Sequence, residues 1–259
     1  MKTSHYKIVL IGSGNVATQL GLALKEAKLT IIQVYSKHKS SSSSLAKILN
    51  CESTNSPEKI NTTADIYIIA VNDDAVAEVV KKLQLSDKIV VHTSGSVEMN
   101  ILKTSSKNFG VFYPLQTFSK NKIIKFNSIP ICLEANNKNT LKALQLLGNS
   151  ISNDVQIINS EQRKFIHLAA VFACNFTNHF YSIASDILES QKLSLDILKP
   201  LIEETANKIK TNSPSKIQTG PAIRGDKKTM DNHLKLLANK DYKNIYKLIS
   251  KSIINSKSV

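Results

Sequence analysis

A glycine-rich turn between a short strand and a helix constrains this chain more than any other feature. Residues 8–11 form an apolar run, rich in β-branched side chains, of the kind found in strands buried on both faces. The run ends in a G-x-G-x-x-A turn, and residues 20–27 then have the apolar spacing of a helix. A strand, a glycine turn and a helix in this order are typical of a dinucleotide-binding site.

The small residues of this turn each have a physical role in that interpretation. Gly12 allows a tight turn, Gly14 lets the backbone approach a pyrophosphate, and Ala17 lets the helix pack close to the strand. Free N–H groups at the start of the helix, together with its dipole, would hold the phosphates. We therefore predict that the whole turn binds a cofactor, with an ordinary strand–helix turn as the alternative; its residues are Gly12, Ser13, Gly14, Asn15, Val16 and Ala17.

The second predicted strand, residues 29–35, indicates which dinucleotide would bind. Sites specific for NAD place an acidic residue about 20 positions after the glycines, where it binds the ribose 2′-hydroxyl. Here no acidic residue occurs between Glu26 and Glu52, and the strand is followed by Ser36 and Lys37. A hydroxyl and a positive charge suit a 2′-phosphate, so we predict NADP(H); a solvated lysine loop is the alternative.

Four further strands are predicted at residues 66–71, 88–92, 108–113 and 129–134, and residues 156–158 extend the sheet. Ligands of such sheets bind beyond the carboxyl ends of the strands. Polar and small residues that follow these strands are therefore cofactor-binding candidates, although each could instead cap a helix or close a turn. They are Val71, Asn72, Asp73, His92, Thr93, Ser94, Gly95 and Gln116.

The periodicity changes after about residue 160, where Ser160 is predicted to cap a long helix that contains neither glycine nor proline. The helix is apolar on almost every side, so we expect it to be central and buried. Further helices are predicted at residues 194–210, 227–238 and 241–254. The predicted fold is thus α/β: a Rossmann-type parallel sheet domain, residues 1–158, followed by an all-α domain, residues 159–259.

Polar residues of the helical half are the catalytic candidates. His167, Asn175 and Asn178 fall within an arc of about 80° on an ideal helix, which indicates a polar cleft, or else core side chains with internal partners. The turn-rich loop 218–226 contains Thr219 and Arg224, and Asp226 is expected to cap the next helix. Arg224 could bind a carboxylate or phosphate with its forked guanidinium, or could be an ordinary surface arginine.

Composition excludes several other classes of protein. The net charge is +14, but the lysines are scattered and only two arginines occur, so we expect no nucleic-acid partner. No apolar run reaches the roughly 20 residues that cross a bilayer, and the N-terminus enters a strand without the apolar segment of a signal peptide. Three distant cysteines indicate neither disulfides nor a metal site. We expect a cytoplasmic protein without a membrane partner.

Several of these segments carry a family resemblance. GSGNVA, AVNDDAV, VVHTSGS, FYPLQTFS, HLAAVFACNF and TGPAIRGD resemble Rossmann-like bacterial proteins with a C-terminal DUF2520 domain, which are labelled NADP oxidoreductases. The first half is similar, more loosely, to pyrroline-5-carboxylate reductase and F420-dependent NADP oxidoreductase. The second half resembles the dimerising domain of the 6-phosphogluconate-dehydrogenase-like superfamily. The resemblance implies a nicotinamide cofactor and a dimer, but no particular substrate.

From these observations we expect an NADP(H)-dependent reductase or dehydrogenase that acts on a small polar carbonyl, imine or hydroxyl compound. His167 would be its acid or base, while Asn175 and Asn178 would orient the reacting atom. Many members of the superfamily use a lysine followed four residues later by an asparagine; this chain has His167 and Asn175 instead, so their catalytic assignments cannot be carried over. A non-catalytic NADP-binding sensor or regulatory module is the alternative. The apolar long helix also predicts a homodimer built on residues after 160.

Overall fold

A computed structural model describes residues 6–120 and 122–256. The chain divides into two compact units, residues 1–172 and residues 173–259. The first contains a sheet with helices on both faces, and the described part of the second contains helices without a strand. The predicted α/β class, with a helical region after the sheet, is confirmed.

Eight strands among the described residues form one sheet in the order β3-β2-β1-β4-β5-β6-β7-β8. All neighbours pair in parallel except β6 and β7, which are antiparallel. Their bounds are Lys7–Ile11 (β1), Thr30–Tyr35 (β2), Glu52–Thr54 (β3), Ile66–Ile69 (β4), Ile89–His92 (β5), Asn108–Pro114 (β6), Ile131–Ala135 (β7) and Val155–Ile157 (β8). The short, polar strand β3 was missed by the sequence analysis because it has no apolar pattern.

Alternate side chains of β1 explain why this strand lies at the centre of the sheet. Ile8 and Leu10 belong to the apolar cluster on one face, whereas Val9 and Ile11 belong to the cluster on the other. All four are fully buried, as the apolar run predicts. The helices that cover the sheet are α1 (Asn15–Glu26), α2 (Lys39–Leu49), α3 (Asp73–Lys81) and α4 (Lys138–Asn149).

The turn after β1 depends on Gly12. Its φ of 121° is a conformation that side chains rarely adopt, and a Cβ atom there would lie 2.1 Å from the carbonyl oxygen of Ala70. Strand β4 can therefore approach the turn only because this residue is glycine. The helix that follows begins at Asn15, earlier than the apolar spacing alone indicates.

Helix α5 (Ser160–Ala170) belongs to the sheet unit. Its cap is Asn159, not Ser160 as predicted: Asn159 accepts from the N–H of Gln162, and the Gln162 side chain accepts from the N–H of Asn159. Ser160 is the first helical residue, and its hydroxyl donates to Glu134 Oε2 at 2.6 Å. The error has a simple cause, since asparagine and serine cap helices equally well.

A buried ion pair fastens α5 to the sheet. The side chain of Arg163 is fully buried, and its Nη1 donates to Glu134 Oε2 at 2.6 Å. Its Nη2 donates to the carbonyl oxygen of Val97, in the loop after β5, at 2.5 Å. The predicted domain boundary at residues 158/159 stays a prediction, but the contacts place α5 with the sheet.

The second unit is built from helices of modest length. They are α6 (Thr177–Glu189), α7 (Lys199–Lys208), α8 (Pro221–Arg224), α9 (Lys227–Leu236) and α10 (Lys240–Asn255). Between α5 and α6, residues Val171–Phe176 form a π-helical turn, which helical periodicity did not predict. As predicted, Asp226 caps α9, where its carboxylate accepts from the N–H of Thr229.

The long helical segment is not buried within one chain, contrary to the expectation from its composition. Phe165, Leu168, Phe172, Phe176 and Phe180 are each at least 40% exposed. Of the described residues after 172, Ala222 alone is buried. No described helix is both long enough and apolar enough to cross a membrane.

We predict that Arg163→Ala destabilises the protein by about 3–5 kcal/mol, because it leaves the Glu134 carboxylate without its buried partner. Urea unfolding of the whole chain measures the change. Arg163→Met combined with Glu134→Leu should recover most of the loss, since neither charge then remains. The control is Lys107→Ala, which breaks an ion pair with Asp87 whose side chains are 79% and 73% exposed. Equal effects of Arg163→Ala and Lys107→Ala would contradict the assigned role.

Candidate functional site

A cavity of about 410 Å³ opens at the carboxyl ends of β1, β2 and β4. Parallel strands place their carboxyl ends along one edge, so residues distant in sequence meet there. The cavity gathers seven of the predicted cofactor-binding residues: Gly12, Ser13, Gly14, Ser36, Lys37, Val71 and Asn72.

The floor of this cavity fits a pyrophosphate. Gly14 has extended backbone angles, and a Cβ atom built on it meets nothing within 4 Å. A side chain at this position would therefore extend into open space beside the start of α1. That helix begins without a side-chain cap and without an acidic residue in its first turn. Its first N–H groups, which include those of Asn15, Val16 and Ala17, have no acceptor within the helix, so they suit an anionic ligand.

Ser36 is held at the end of β2 by hydrogen bonds. Its hydroxyl accepts from Ser13 Oγ at 2.9 Å, and its N–H donates to the carbonyl of Thr54 in β3 at 3.1 Å. The residue is buried, whereas the neighbouring Lys37 is exposed at the cavity mouth. The unpredicted strand β3 thus fixes the backbone of a predicted site residue.

The cavity is also lined by residues that the sequence analysis did not assign to it. His38, Glu78 and Lys82 line it together with Lys37. Glu78 Oε1 lies 2.8 Å from Lys82 Nζ, and this hydrogen bond, with the charges of Lys82 and Lys37, lowers the pKa of the Glu78 carboxyl. The sequence analysis did not find Glu78 because it looked for an acidic residue only in the segment after β2, whereas Glu78 lies on α3.

Two predicted site residues at the end of β4, Asn72 and Asp73, have different surroundings. Asn72 precedes α3 at the capping position but makes no capping bond with its side chain, which leaves the amide at the cavity. Asp73, one residue later, accepts a hydrogen bond from the hydroxyl of Ser96. That bond connects the start of α3 to the loop after β5.

The loop after β5 is closed by its own polar side chains. Ser94 Oγ accepts from the N–H groups of Ser96 at 3.1 Å and Val97 at 3.0 Å, and Thr93 Oγ1 donates to the carbonyl of Ile69 at 3.4 Å. Thr93 and Ser94 thus help to hold this loop, and their part in cofactor binding stays a prediction.

His92 is a structural residue of this loop. Its ring is fully buried, and Nδ1 accepts from the N–H of Ser94 at 3.2 Å. Burial, reinforced by the charge of Arg163, lowers the pKa of His92 to about 4. The ring is therefore neutral near pH 7, and it cannot supply a proton as an imidazolium.

His167 lies in a different environment, at the ends of β5 and β6. Its Nδ1 is 3.2 Å from the hydroxyl of Tyr113, and the two rings meet edge to face with centroids 6.3 Å apart. A Cβ atom on Gly95 would lie 2.7 Å from Nδ1, so this glycine packs directly against the imidazole. The sequence analysis missed Tyr113, although its position at the end of a buried strand was a usable signal.

Four other predicted site residues are exposed, one in the sheet unit and three in the helical unit. Gln116 is exposed, and its side chain accepts from the N–H of Thr117 at 2.8 Å. Asn175, Asn178 and Arg224 belong to the helical unit and are exposed. Residues Val171–Phe176, which include Asn175 and lie between His167 and Asn178, are π-helical and have more residues per turn than the α-helix on which the arc was projected, so the shared arc stays a prediction.

Gln19 is another residue that sequence patterns did not identify. It is buried on α1, and its amide donates to the carbonyls of Ser119 at 2.7 Å and Lys122 at 2.9 Å. The side chain of Asn15 donates to the carbonyl of Phe118 at 2.9 Å. The loop after β6 is thereby tied to the first turns of α1, beside the glycine turn.

Within the described part of the chain, no group of histidine, cysteine or acidic residues is arranged to hold a metal ion. The three cysteines are free: Cys51 is partly buried, Cys132 is buried and Cys174 is exposed. Burial is also the main cause that raises the pKa of the Cys51 thiol to about 11. A thiol with such a pKa is protonated near pH 7 and is a poor nucleophile.

Comparison with solved structures finds the same fold in two reductases. Pyrroline-5-carboxylate reductase from Streptococcus pyogenes is 17% identical, with a TM-score of 0.64 and coverage of 98% of this chain and 99% of that chain. An imine reductase from Myxococcus stipitatus in complex with NADP⁺ is 14% identical, with a TM-score of 0.64 and coverage of 96% and 92%. At these identities the likeness concerns the fold alone. No curated protein matches the chain.

Closer similarity establishes the family. A Rossmann-like domain matches residues 1–115, and the domain of unknown function DUF2520 matches residues 129–253. A putative NADP oxidoreductase from Bacteroides fragilis is 41% identical, with a TM-score of 0.92, and the match covers 96% of this chain and 98% of that one. The glycine turn, the sheet order and the sequence similarity over both halves agree: the chain belongs to the family of Rossmann-like proteins that carry a C-terminal DUF2520 domain.

Proposed function

We propose that the protein is an NADP(H)-dependent oxidoreductase that transfers a hydride to or from a small polar carbonyl, imine or hydroxyl compound. The observation that carries the proposal is the open glycine turn at the uncapped start of α1, which faces a cavity that also contains Ser36 and Lys37. The description of the Bacteroides fragilis protein as an NADP oxidoreductase supports it.

The residues that would hold the cofactor follow from the cavity. The N–H groups after Gly14 would bind the pyrophosphate, and Val71 and Asn72 would line the nucleotide between β1 and β4. When bound, a nicotinamide cofactor supplies or accepts the hydride. Gly95 lies further along the same edge, next to the histidine proposed for proton transfer.

The balance of charge at the cavity mouth supports NADP(H) over NAD(H). Lys37 and Lys82 are cationic, and His38 adds a donor. Glu78 is the one acidic residue among the described residues that line the cavity, and Lys82 is already its partner at 2.8 Å. Lys37 therefore remains the charge best placed for a 2′-phosphate, and Ser36 adds a hydroxyl held by Ser13.

His167 is the residue we propose for proton transfer. It is partly exposed, whereas His92 is fully buried and held neutral. An imidazole is suited to the task because its ordinary pKa lies near neutrality. Asn175 and Asn178 are proposed to orient the reacting oxygen or nitrogen, and Arg224 to bind an anionic group of the substrate.

The helical unit supports a homodimer as the working state. With Ala222 as the sole buried residue among those described after 172, this unit lacks a core of its own. An apolar groove of about 470 Å³ is lined by residues of α6, α9 and α10, including Phe180, Ile187 and Leu236. Covering such side chains contributes about 1.5–3 kcal/mol each, and a second copy of the same surface is the simplest cover.

The proposed function predicts that NADPH binds to the purified protein and is oxidised in the presence of some keto acid, aldehyde or cyclic imine. Absorbance of the reduced cofactor measures turnover.

Gly14→Val should abolish both binding and turnover, because its side chain would enter the space proposed for the pyrophosphate. The fold should survive, since a Cβ atom at this position meets nothing within 4 Å. Tight NADPH binding without turnover on a broad panel would indicate the sensor instead, and unchanged binding by Gly14→Val would show that the cofactor site lies elsewhere.

Cofactor preference is predicted to depend on Lys37. The wild type should bind NADPH at least ten-fold more tightly than NADH, a difference of roughly 1.4 kcal/mol, and Lys37→Glu should remove that difference. Fluorescence titration measures both affinities. Lys28→Glu makes the same change of charge outside the cavity and should leave the preference intact. Equal affinities in the wild type would refute the assignment of NADP(H).

If the protein is a homodimer, its mass in solution at micromolar concentration should be twice the 28.6 kDa of one chain. Ile187→Asp should weaken the association at least ten-fold, because a charge then replaces an apolar side chain of the groove. Ile48→Asp is a matched control on the sheet unit, since Ile48 is 49% exposed and Ile187 is 42% exposed. Light scattering across a dilution series measures the association. A wild-type monomer at these concentrations would refute the dimer.

A further inference from the structure

Two elements that are distant in sequence bring Tyr113 and His167 together. Strand β6 carries the tyrosine at its carboxyl end, and α5 carries the histidine one turn after Arg163. The phenol oxygen and Nδ1 are 3.2 Å apart, and the rings lie at 71° to each other. Among the described residues, Nδ1 is the one hydrogen-bond partner of the Tyr113 hydroxyl.

Gly95 fixes how closely the loop after β5 approaches this pair. A Cβ atom there would lie 2.7 Å from Nδ1 of His167 and 2.9 Å from Cζ of Tyr113. Both distances are too short for a real contact, so any side chain at this position would displace one of the rings. The glycine is buried, and the loop that contains it is held by Arg163 and Ser94.

A phenol is chemically suited to a histidine that gains and loses protons. Its oxygen can accept the Nδ1 proton of the imidazolium and also the Nδ1 proton of the neutral ring that has lost its Nε2 proton. Burial raises the pKa of Tyr113 to about 12, so the hydroxyl keeps its proton near pH 7. The hydrogen bond can thus persist in both states of the histidine without adding a charge.

We propose that Tyr113 is a positioning residue that holds Nδ1 of His167, so that Nε2 is the atom that exchanges a proton with the substrate. The proposal rests on the oxidoreductase function proposed above. In the direction of reduction, the imidazolium would give its Nε2 proton to the substrate oxygen or nitrogen, and a bound nicotinamide cofactor would supply the hydride to the adjacent carbon. The ring then keeps its Nδ1 proton, which the phenol oxygen accepts.

Other groups around the pair do not replace the phenol in this role. Arg163 lies one turn earlier on α5, but it is engaged by Glu134 and the carbonyl of Val97. Asp73 and the Cys132 thiol influence the pKa of Tyr113 through charge alone. Of the described residues, none donates to or accepts from Nε2 of His167, which leaves that atom available.

A second tyrosine–histidine pair in the helical unit provides a matched control. His233 Nδ1 lies 2.9 Å from the hydroxyl of Tyr246, and the ring centroids are 5.8 Å apart. The two pairs share the same contact, but His233 lines the apolar groove and lies in the other unit. A substitution in one pair should therefore leave the other unchanged.

Nitrogen NMR of the full-length protein labelled at histidine tests the pair without any turnover. The signal missing from His167→Asn identifies His167. We expect the neutral ring in the wild type to carry its proton on Nδ1, where the phenol oxygen accepts it, and we expect Tyr113→Phe to produce a mixture of both tautomers. A neutral wild-type ring with its proton fixed on Nε2 would contradict the proposal. Tyr246→Phe should alter the signal of His233 only. A wild-type ring that already exchanges between tautomers, or one unaffected by Tyr113→Phe, would overturn the proposal.

Kinetics with NADPH and a reactive carbonyl or imine then tests the consequence for catalysis. Tyr113→Phe should lower kcat roughly three- to ten-fold, the equivalent of about one hydrogen bond, with the KM for NADPH unchanged. In the His167→Asn background the same substitution should have no further effect, because Tyr113 acts only through the histidine. Equal losses in both backgrounds would overturn the positioning role. Absence of turnover in the wild type would count against the oxidoreductase function, and the NMR result would then decide the pairing alone.

Discussion

The buried guanidinium of Arg163 is the interaction on which the candidate site depends most. It joins α5 to Glu134 of β7 and to the loop after β5, so three elements are fixed by one side chain. Transferring a charge from water into the interior is costly unless it is paired and hydrogen-bonded. Here Glu134 pairs with the charge, and the two terminal nitrogens donate to Glu134, the carbonyl of Val97 and the hydroxyl of Ser160, whereas Nε has no partner among the described residues. Because His167 lies one turn further along α5, the position of its ring relative to Tyr113 and Gly95 follows from the same interaction.

The two glycines of the first turn show how a fold constraint and a functional constraint can be separated. Gly12 is required by the fold: its φ is positive, and the Ala70 carbonyl occupies the space of a Cβ atom. Gly14 has no such neighbour and has backbone angles open to any residue. The absence of a side chain at Gly14 therefore has no explanation in the packing of the described residues, and a ligand that approaches the backbone supplies one. This contrast supports cofactor binding more strongly than the motif alone.

Much of this architecture could be predicted from the sequence, for reasons that are local. The strand–turn–helix order around Gly12, the buried apolar strands and the change to helical periodicity after residue 160 all depend on residues close together in the chain. Features that depend on contacts between distant residues could not be predicted in this way. Glu78 enters the cavity from α3, Tyr113 meets His167 across 54 positions, and Gln19 binds carbonyls about 100 residues away. The π-helical turn at Val171–Phe176 likewise has no signature in apolar spacing.

The two units meet the cost of folding in different ways. The sheet unit buries both faces of its central strands, and its two apolar clusters contain dozens of residues with little contact with water. The helical unit also contains many apolar side chains. Several of them are exposed, from Phe180 on α6 to Ile254 on α10. Ordering each residue costs about 1–2 kcal/mol of backbone entropy, which an uncovered set of helices cannot offset. We therefore expect the helices of this unit to gain stability by packing against a surface outside the unit. If that surface is a second copy of the chain, the positions of Asn175, Asn178 and Arg224 would depend on dimerisation.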